Sequence, residues 1–372
     1  MKAFFSLFPC CRSKPRASNA VTARGEKTNK TPKELGYSIP DEWEPRDGTM
    51  MIFPRKYHYG KEIIGLRKEF CDIARAIARN EAVHVFCTPE DEGICRQQFF
   101  GEEKSGANIN ITIHSGKFTI DWARDNAPIL LRSSCGSKLL SAGFQCNGWG
   151  KKYWGWKKDV STRSNIAEAM NWPSVASDFC LEGGSIETCS SSSIGGNIAI
   201  STESCTLHKN RNNPKHWSKP RVEDELCAML GLEQILWLPS GLVPDPQTDG
   251  HVDGLVKWID ANTVLLHTID PKYKDEDPQN YAICQKAKTI LESFGIKIVE
   301  VPLAEDMVHL NFYIGSGGDI AYVPICGESS QDEPAISVIR QHFATVVPLL
   351  AKHLGKAGGG IHCITQPIPK LK

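Results

Sequence analysis

The chain has 372 residues, enough for one large domain or two ordinary ones, with 41% hydrophobic residues and 23% charged ones. Lys+Arg and Asp+Glu number 43 each, so there is no net basic field of the kind that attracts nucleic acid. No apolar run is long enough to span a bilayer. The 14 cysteines are scattered, contain no C-x-x-C pair, and touch in sequence only at Cys10-Cys11. That pattern indicates neither a zinc site nor a disulfide framework, and a reducing, cytoplasmic setting is the simplest reading.

The first stretch differs from the rest. Up to Gly25 it carries Lys2, Arg12, Lys14, Arg16 and Arg24 and no acid, and it is rich in Ser and Ala. Residues 1–35 therefore read as a basic, disordered tail, with organelle targeting or acylation at Cys10 and Cys11 as alternatives. Residues 62–80 follow as an amphipathic helix, with Ile63, Leu66, Phe70, Ile73 and Ile77 at helical spacing. Strands are predicted at 82–87 and 108–115.

Beyond residue 118 a unit recurs. Residues 118–132 read as strand, loop and strand. Residues 183–202 read as two strands about a Ser/Gly turn, followed by a helix over 222–230 and a strand over 234–239. Residues 251–259 and 263–269 read as another strand pair, with a helix over 281–294 and a strand over 296–302. A hairpin over 311–325, a helix near 335–343 and a strand near 344–349 complete the series. This β-β-α-β order, about three times and twice more in degraded form, suggests radial repetition in an α/β propeller-like ring. A doubly wound parallel sheet fits less well, because strands joined by hairpins are antiparallel.

Chemistry-bearing residues recur near the start of each strand pair. WARDN (122–126) holds Asp125 beside Arg124, with Trp122 just ahead. LEGGS (181–185) holds Glu182 before two glycines. TDGHVDG (248–254), read as strand, puts His251 and Asp253 on one face. GGGIHCITQPIP (358–369) runs three glycines into His362-Cys363. A thiol, an imidazole and several carboxylates suit nucleophilic catalysis on a cationic group such as a guanidinium, whose rigid fork of donors matches carboxylates. His251, His362, Asp253 and Cys363 are zinc-ligand types, but their spacing matches no familiar zinc pattern. A papain-like arrangement needs the Cys ahead of the His, and here the order is reversed.

At these motifs the chain resembles the agmatine deiminase and peptidylarginine deiminase family of the guanidine-modifying pentein superfamily. The likeness starts at GYSIPDEWEPRDGTMMIFP (36–54) and takes in WARDN, FQCNGWGKKY (144–153), LEGGSIE, ESCTLHKNRNNP (203–214), TDGHVD, NFYIGSGG and GGGIHCITQ. It implies a single domain over 36–372, built as a five-bladed α/β propeller of ββαβ units. It implies Cys363 as nucleophile, His251 as acid/base, Asp125 and Asp253 as grips on the guanidinium, Glu182 assisting, and Trp122 and Gly360 lining the substrate site. A small-molecule guanidine is the implied partner, with no metal, no cofactor and no nucleic acid. The favoured reaction is conversion of agmatine to N-carbamoylputrescine and ammonia. Deimination of free or peptidyl arginine and a silent ring that only binds are the alternatives. The oligomeric state, a homodimer among the options, is left open. The chain departs from the family's usual residues at 50–54, 190–196, Gly254, Gly360 and Pro367. A further expectation concerns GWGKKYWGWKKD (148–159): a lysine facing the channel would favour a carboxylate-bearing substrate.

Overall fold

One order of elements occurs five times: an antiparallel strand pair, a helix, and a strand parallel to the second member of the pair. The computed structural model describes residues 20–21, 27–28, 30–101, 109–191 and 194–372. Three units follow the order without addition. In the first, Ile186–Ser191 pairs with Gly196–Thr202, helix Lys219–Leu230 crosses over, and Gln234–Leu238 returns parallel. In the next, Val256–Trp258 and Thr263–Thr268 are followed by helix Pro278–Ser293 and Lys297–Pro302. In the third, Tyr313–Ile314 and Ile320–Ile325 are followed by helix Ser329–Ile339 and Thr345–Leu350.

The remaining two units carry extra strands. Ile129–Ser133, Leu139–Gln145, helix Thr162–Ala169 and Ser174–Cys180 form one, with Tyr37–Ser38 added at its edge. In the other, the C-terminal strand Gln366–Pro369 pairs with Arg46–Ile52, helix Ile63–Ile77 crosses over, and Val83–Cys87 and Ile111–Ser115 extend the sheet in parallel. A strand from the C-terminal segment thus completes a sheet begun at Arg46. This is an α/β fold whose apolar clusters lie between each sheet and its helix, as with Phe70, Ile73 and Ile77 against Val83 and Val85. Among the described residues every cysteine is a free thiol, and no helix is long and apolar enough to cross a membrane.

Several local expectations change. Residues 118–121 are not a strand; Ala123–Asn126 is one helical turn, entered through Trp122 at φ +63°. His251 and Asp253 are not on a strand: Val252–Gly254 is a 3₁₀ turn, and the strand starts only at Val256. The cause is side-chain capture of the backbone donors. The Asp245 carboxylate accepts from the amides of Thr248 and Gly250, and Thr248 Oγ1 accepts from that of His251. Of the presumed tail, most of residues 1–29 lies outside the described residues. Ala20–Val21 pairs with Lys27–Thr28, and Lys33–Leu35 forms a helical turn whose Lys33 ammonium donates to the Leu232 carbonyl at 2.6 Å.

Candidate active site

Each unit contributes to one place, and always from the segment just ahead of its first strand. Asp125 precedes Ile129–Ser133, Glu182 precedes Ile186–Ser191, and His251 and Asp253 precede Val256–Trp258. Asn311 precedes Tyr313–Ile314, and Cys363 precedes Gln366–Pro369. The five segments meet, so residues far apart in sequence become neighbours.

Gly184 marks the centre. A methyl group there would lie 2.6 Å from His251 Nδ1, 2.9 Å from Asp253 Oδ2 and 3.1 Å from Asp125 Oδ1. Only hydrogen fits between these groups, and the Gly184 amide donates to Asp125 Oδ1 at 2.9 Å. Asp125 Oδ2 accepts from the Trp149 indole at 2.8 Å. His251 Nε2 lies 3.4 Å from Glu182 Oε2, and its Nδ1 lies 4.0 Å from Asp125 Oδ1. That Nδ1 is buried and, among the described residues, has no hydrogen-bond partner. Cys363 Sγ is 3.7 Å from Asp253 Oδ2. The Cys363 and Gly360 amides both donate to Asn311 Oδ1 at 3.1 Å, and the Arg124 amide donates to the Cys363 carbonyl at 3.0 Å. These bonds fix the turn that presents the thiol. Gly359 lacks the side chain that would run into the Trp122 ring, so the ring lies against the turn.

The electrostatics follow from that packing. Burial pushes the Asp125 pKa up, and the neighbouring carboxylates of Glu182 and Asp253 add to the rise against His251 and the Trp149 bond. Burial also works to raise Asp253, but the bond and charge of His362 outweigh it and the pKa is lowered. Glu182 is likewise lowered against the pull of burial, by His251 and by Arg211, whose Nε lies 3.1 Å from both carboxylate oxygens. Burial would lower His251, but Asp125, Cys205 and Glu182 hold it well above the ordinary histidine value, favouring the imidazolium. Desolvation and the charges of Asp253 and Asp125 push the Cys363 thiol up.

All of the residues expected from sequence at the site—Trp122, Asp125, Glu182, His251, Asp253, Gly360 and Cys363—are brought to this place. Gly360 acts through its amide on Asn311. Asn311, Trp149 and Arg211 were not singled out from sequence, although each lies within a quoted motif. Glu182, Cys205 and His251 offer metal-ligand atoms within 4.8 Å of one another, but Glu182 is already taken by the Arg211 guanidinium. A cleft of about 500 Å³ opens beside Cys363, bordered by His251, Asp253, Asn311 and Gly358–Gly360. A second hollow, of about 620 Å³, has Trp122, Trp149, Tyr153 and Lys152 in its wall and shares Gln247 with the cleft. Lys152 is not a free cation there: its ammonium lies 2.7 Å from Asp249 and donates to the Gln247 carbonyl at 2.9 Å. Lys151 is exposed and lies over the Trp156 ring.

The chain and its fold have counterparts among known proteins. A protein of Streptomyces avermitilis named "Putative agmatine deiminase" is 30% identical over 363 residues, covering 91% of this chain and 99% of its own. The agmatine deiminase of Enterococcus faecalis is 24% identical and superposes with a TM-score of 0.79 over 92% of this chain and 98% of that one. The Campylobacter jejuni agmatine deiminase variant solved with substrate bound is 21% identical, with a TM-score of 0.77 over 90% and 97%. Residues 38–369 match the model of one family along their whole length, and the chain belongs to the Porphyromonas-type peptidyl-arginine deiminases.

Proposed function

We propose that this protein hydrolyses agmatine to N-carbamoylputrescine and ammonia, a step toward putrescine. Membership of a deiminase family makes it a hydrolase of guanidine carbon–nitrogen bonds. The observation that supports agmatine in particular is the charge of the cleft beside Cys363. Its wall includes Asp245, Asp253, Asp277, Glu305 and Asp306 and, among the described residues, no Lys or Arg. A substrate with a guanidinium at one end and an ammonium at the other suits such a wall. One ending in a carboxylate would seek a cation that the cleft does not offer.

In this reading the guanidinium enters between Asp125 and Asp253 with its carbon toward Cys363. The bound cation then offsets the negative charge of Asp253 and Asp125 that raises the Cys363 pKa, and the thiol releases its proton to solvent to give the thiolate. Sulfur bonds to the guanidinium carbon, His251 gives its proton to the departing nitrogen, and ammonia leaves. Water then adds to the S-alkylthiouronium, losing its proton to His251. The carbon–sulfur bond breaks, the adduct's hydroxyl proton passes to the departing sulfur, and the ureido product and the Cys363 thiol are released. The steps need a thiol, an acid/base and carboxylates, and no metal or cofactor. We assign the five sheets as five blades of a propeller, with this site on its axis.

The reading is tested by ammonia release from agmatine, arginine and arginyl peptides under identical conditions. The highest kcat/KM is expected with agmatine. A preference for arginine or its peptides would replace the substrate assignment, and no release from any of them would favour a silent binding protein.

A further inference from the structure

Asp253 has further buried partners besides the groups that border the cleft. His362, buried immediately before the proposed nucleophile, lies with Nδ1 2.8 Å from Asp253 Oδ2, the same oxygen that faces Cys363 Sγ. Its Nε2 lies 2.9 Å from Glu42 Oε1. Glu42 is in turn 2.5 Å from Arg124 Nη1 and 2.6 Å from Lys257 Nζ, and Lys257 Nζ is 3.1 Å from Glu187 Oε1. These groups come from the segment ahead of the first long strand, from WARDN, from the strand after TDGHVDG, and from the C-terminal turn. Arg124 is the neighbour of Asp125, and its amide holds the Cys363 carbonyl. One glutamate therefore ties together segments that carry the nucleophile and both carboxylate grips.

We propose that Glu42 and His362 are positioning residues: the chain Glu42–His362–Asp253 holds the Asp253 carboxylate in place beside Cys363 and sets how tightly a guanidinium is gripped. The physical reason is the number of oxygens and how they are used. Asp253 must present one face to the substrate and yet stay fixed while buried, which requires a donor behind it that is itself fixed. His362 is that donor. With both ring nitrogens bonded, its ring cannot turn without losing the Asp253 or the Glu42 contact. His362 and Asp253 are buried, so loss of one bond leaves a buried polar group unpaired and frees the ring and then the carboxylate.

The inference rests on the guanidine-hydrolase reading for its ligand class, but its test does not require turnover. In the full-length protein, His362→Asn and the isosteric Glu42→Gln are compared with the parent for the rate at which Cys363 is alkylated. One reagent is the cationic 2-chloroacetamidine, whose amidinium needs the Asp253 grip. The other is the neutral iodoacetamide, which needs only the thiol. The cationic rate is expected to fall about 10- to 100-fold in both variants, with the neutral rate within about threefold of the parent. With agmatine, Glu42→Gln is expected to raise KM more than it lowers kcat. Equal loss of both alkylation rates would mean a general structural role and overturns the proposal, as does no change in either. Should His362→Asn fail to fold, as shown by its melting curve, Glu42→Gln alone decides by the same ratio. If the parent releases no ammonia from any guanidine, the functional reading fails while the alkylation ratio still reports on the positioning chain.

Discussion

The two carboxylates beside Gly184 are nearly equally buried and have opposite electrostatics. Asp125 stands on a helical turn and is bonded by neutral donors, the Gly184 amide and the Trp149 indole, so burial wins and its pKa rises. Asp253 stands on a 3₁₀ turn with a histidine behind it, and its pKa falls despite burial. Depth alone therefore does not decide which way a buried carboxylate's pKa moves; its bonding partners do. In the proposed reaction this gives the two grips different work. Asp253, the more acidic of the two, favours its charged form beside the thiol, and an arriving cation draws the Asp125 pKa back down.

The sharpest way to break this comparison is to remove what both carboxylates face. Cys363→Ser is expected to lower ammonia release by roughly four orders of magnitude or more, with the melting temperature close to the parent's. Activity near the parent's would remove Cys363 from the mechanism. The carboxylates themselves come next. Asp253→Asn is expected to lower kcat/KM for agmatine by about 10² to 10³-fold, and Asp125→Asn by less, because His362 draws the Asp253 pKa down while burial pushes that of Asp125 up. Steady-state kinetics showing the reverse order would undo the distinction.

Trp149→Phe keeps a ring and deletes the indole N–H. The Trp149 bond lowers the Asp125 pKa, so its loss should raise that pKa further. The acid limb of the kcat/KM profile should move to higher pH, with a loss of about tenfold or less on that limb. An unmoved limb would show that Asp125 does not govern it.

A smaller effect concerns His251 and stability. Its folded pKa is raised well above the unfolded value of about 6.5. Its contribution is therefore fully present below about pH 6.5 and is lost as pH rises toward the folded value. Melting temperatures of the parent should decline through that window more steeply than those of His251→Gln. Parallel curves would mean that His251 takes up no extra proton on folding. The smallest effects are expected at the lysines of the 148–159 segment. Lys152 is partly exposed and paired with Asp249, and Lys151 lies over Trp156. Lys152→Ala and Lys151→Ala should each change the agmatine-to-arginine ratio of kcat/KM by less than about threefold. A marked shift toward agmatine in either variant would place a carboxylate clamp in this segment.

What could be read from sequence divides along the same line as the two carboxylates. The helix at Ile63–Ile77 and the hairpin, helix and strand series after residue 183 were legible because apolar periodicity is a local property. The turn holding His251 and Asp253 was misread as strand because its alternation is short and Asp245, several residues earlier, captures its amides. The WARDN turn was read as loop because its conformation depends on Trp122 at positive φ and on a bond from the Arg124 amide to the distant Cys363 carbonyl.

By itself the sequence determined the residue types at the site: a thiol after a glycine run, an imidazole and an acid two residues apart, an acid before two glycines, and an acid in WARDN. Motif order was enough to bring these to attention. The tertiary structure alone decided their partners. It made Asn311 the acceptor that fixes the Cys363 turn, Trp149 a donor to Asp125, Arg211 the counterion of Glu182, and Glu42 the hub behind His362. The physical reason is that a buried polar group must find its bonds within reach in space, and in this fold the segments within reach come from all five repeating units.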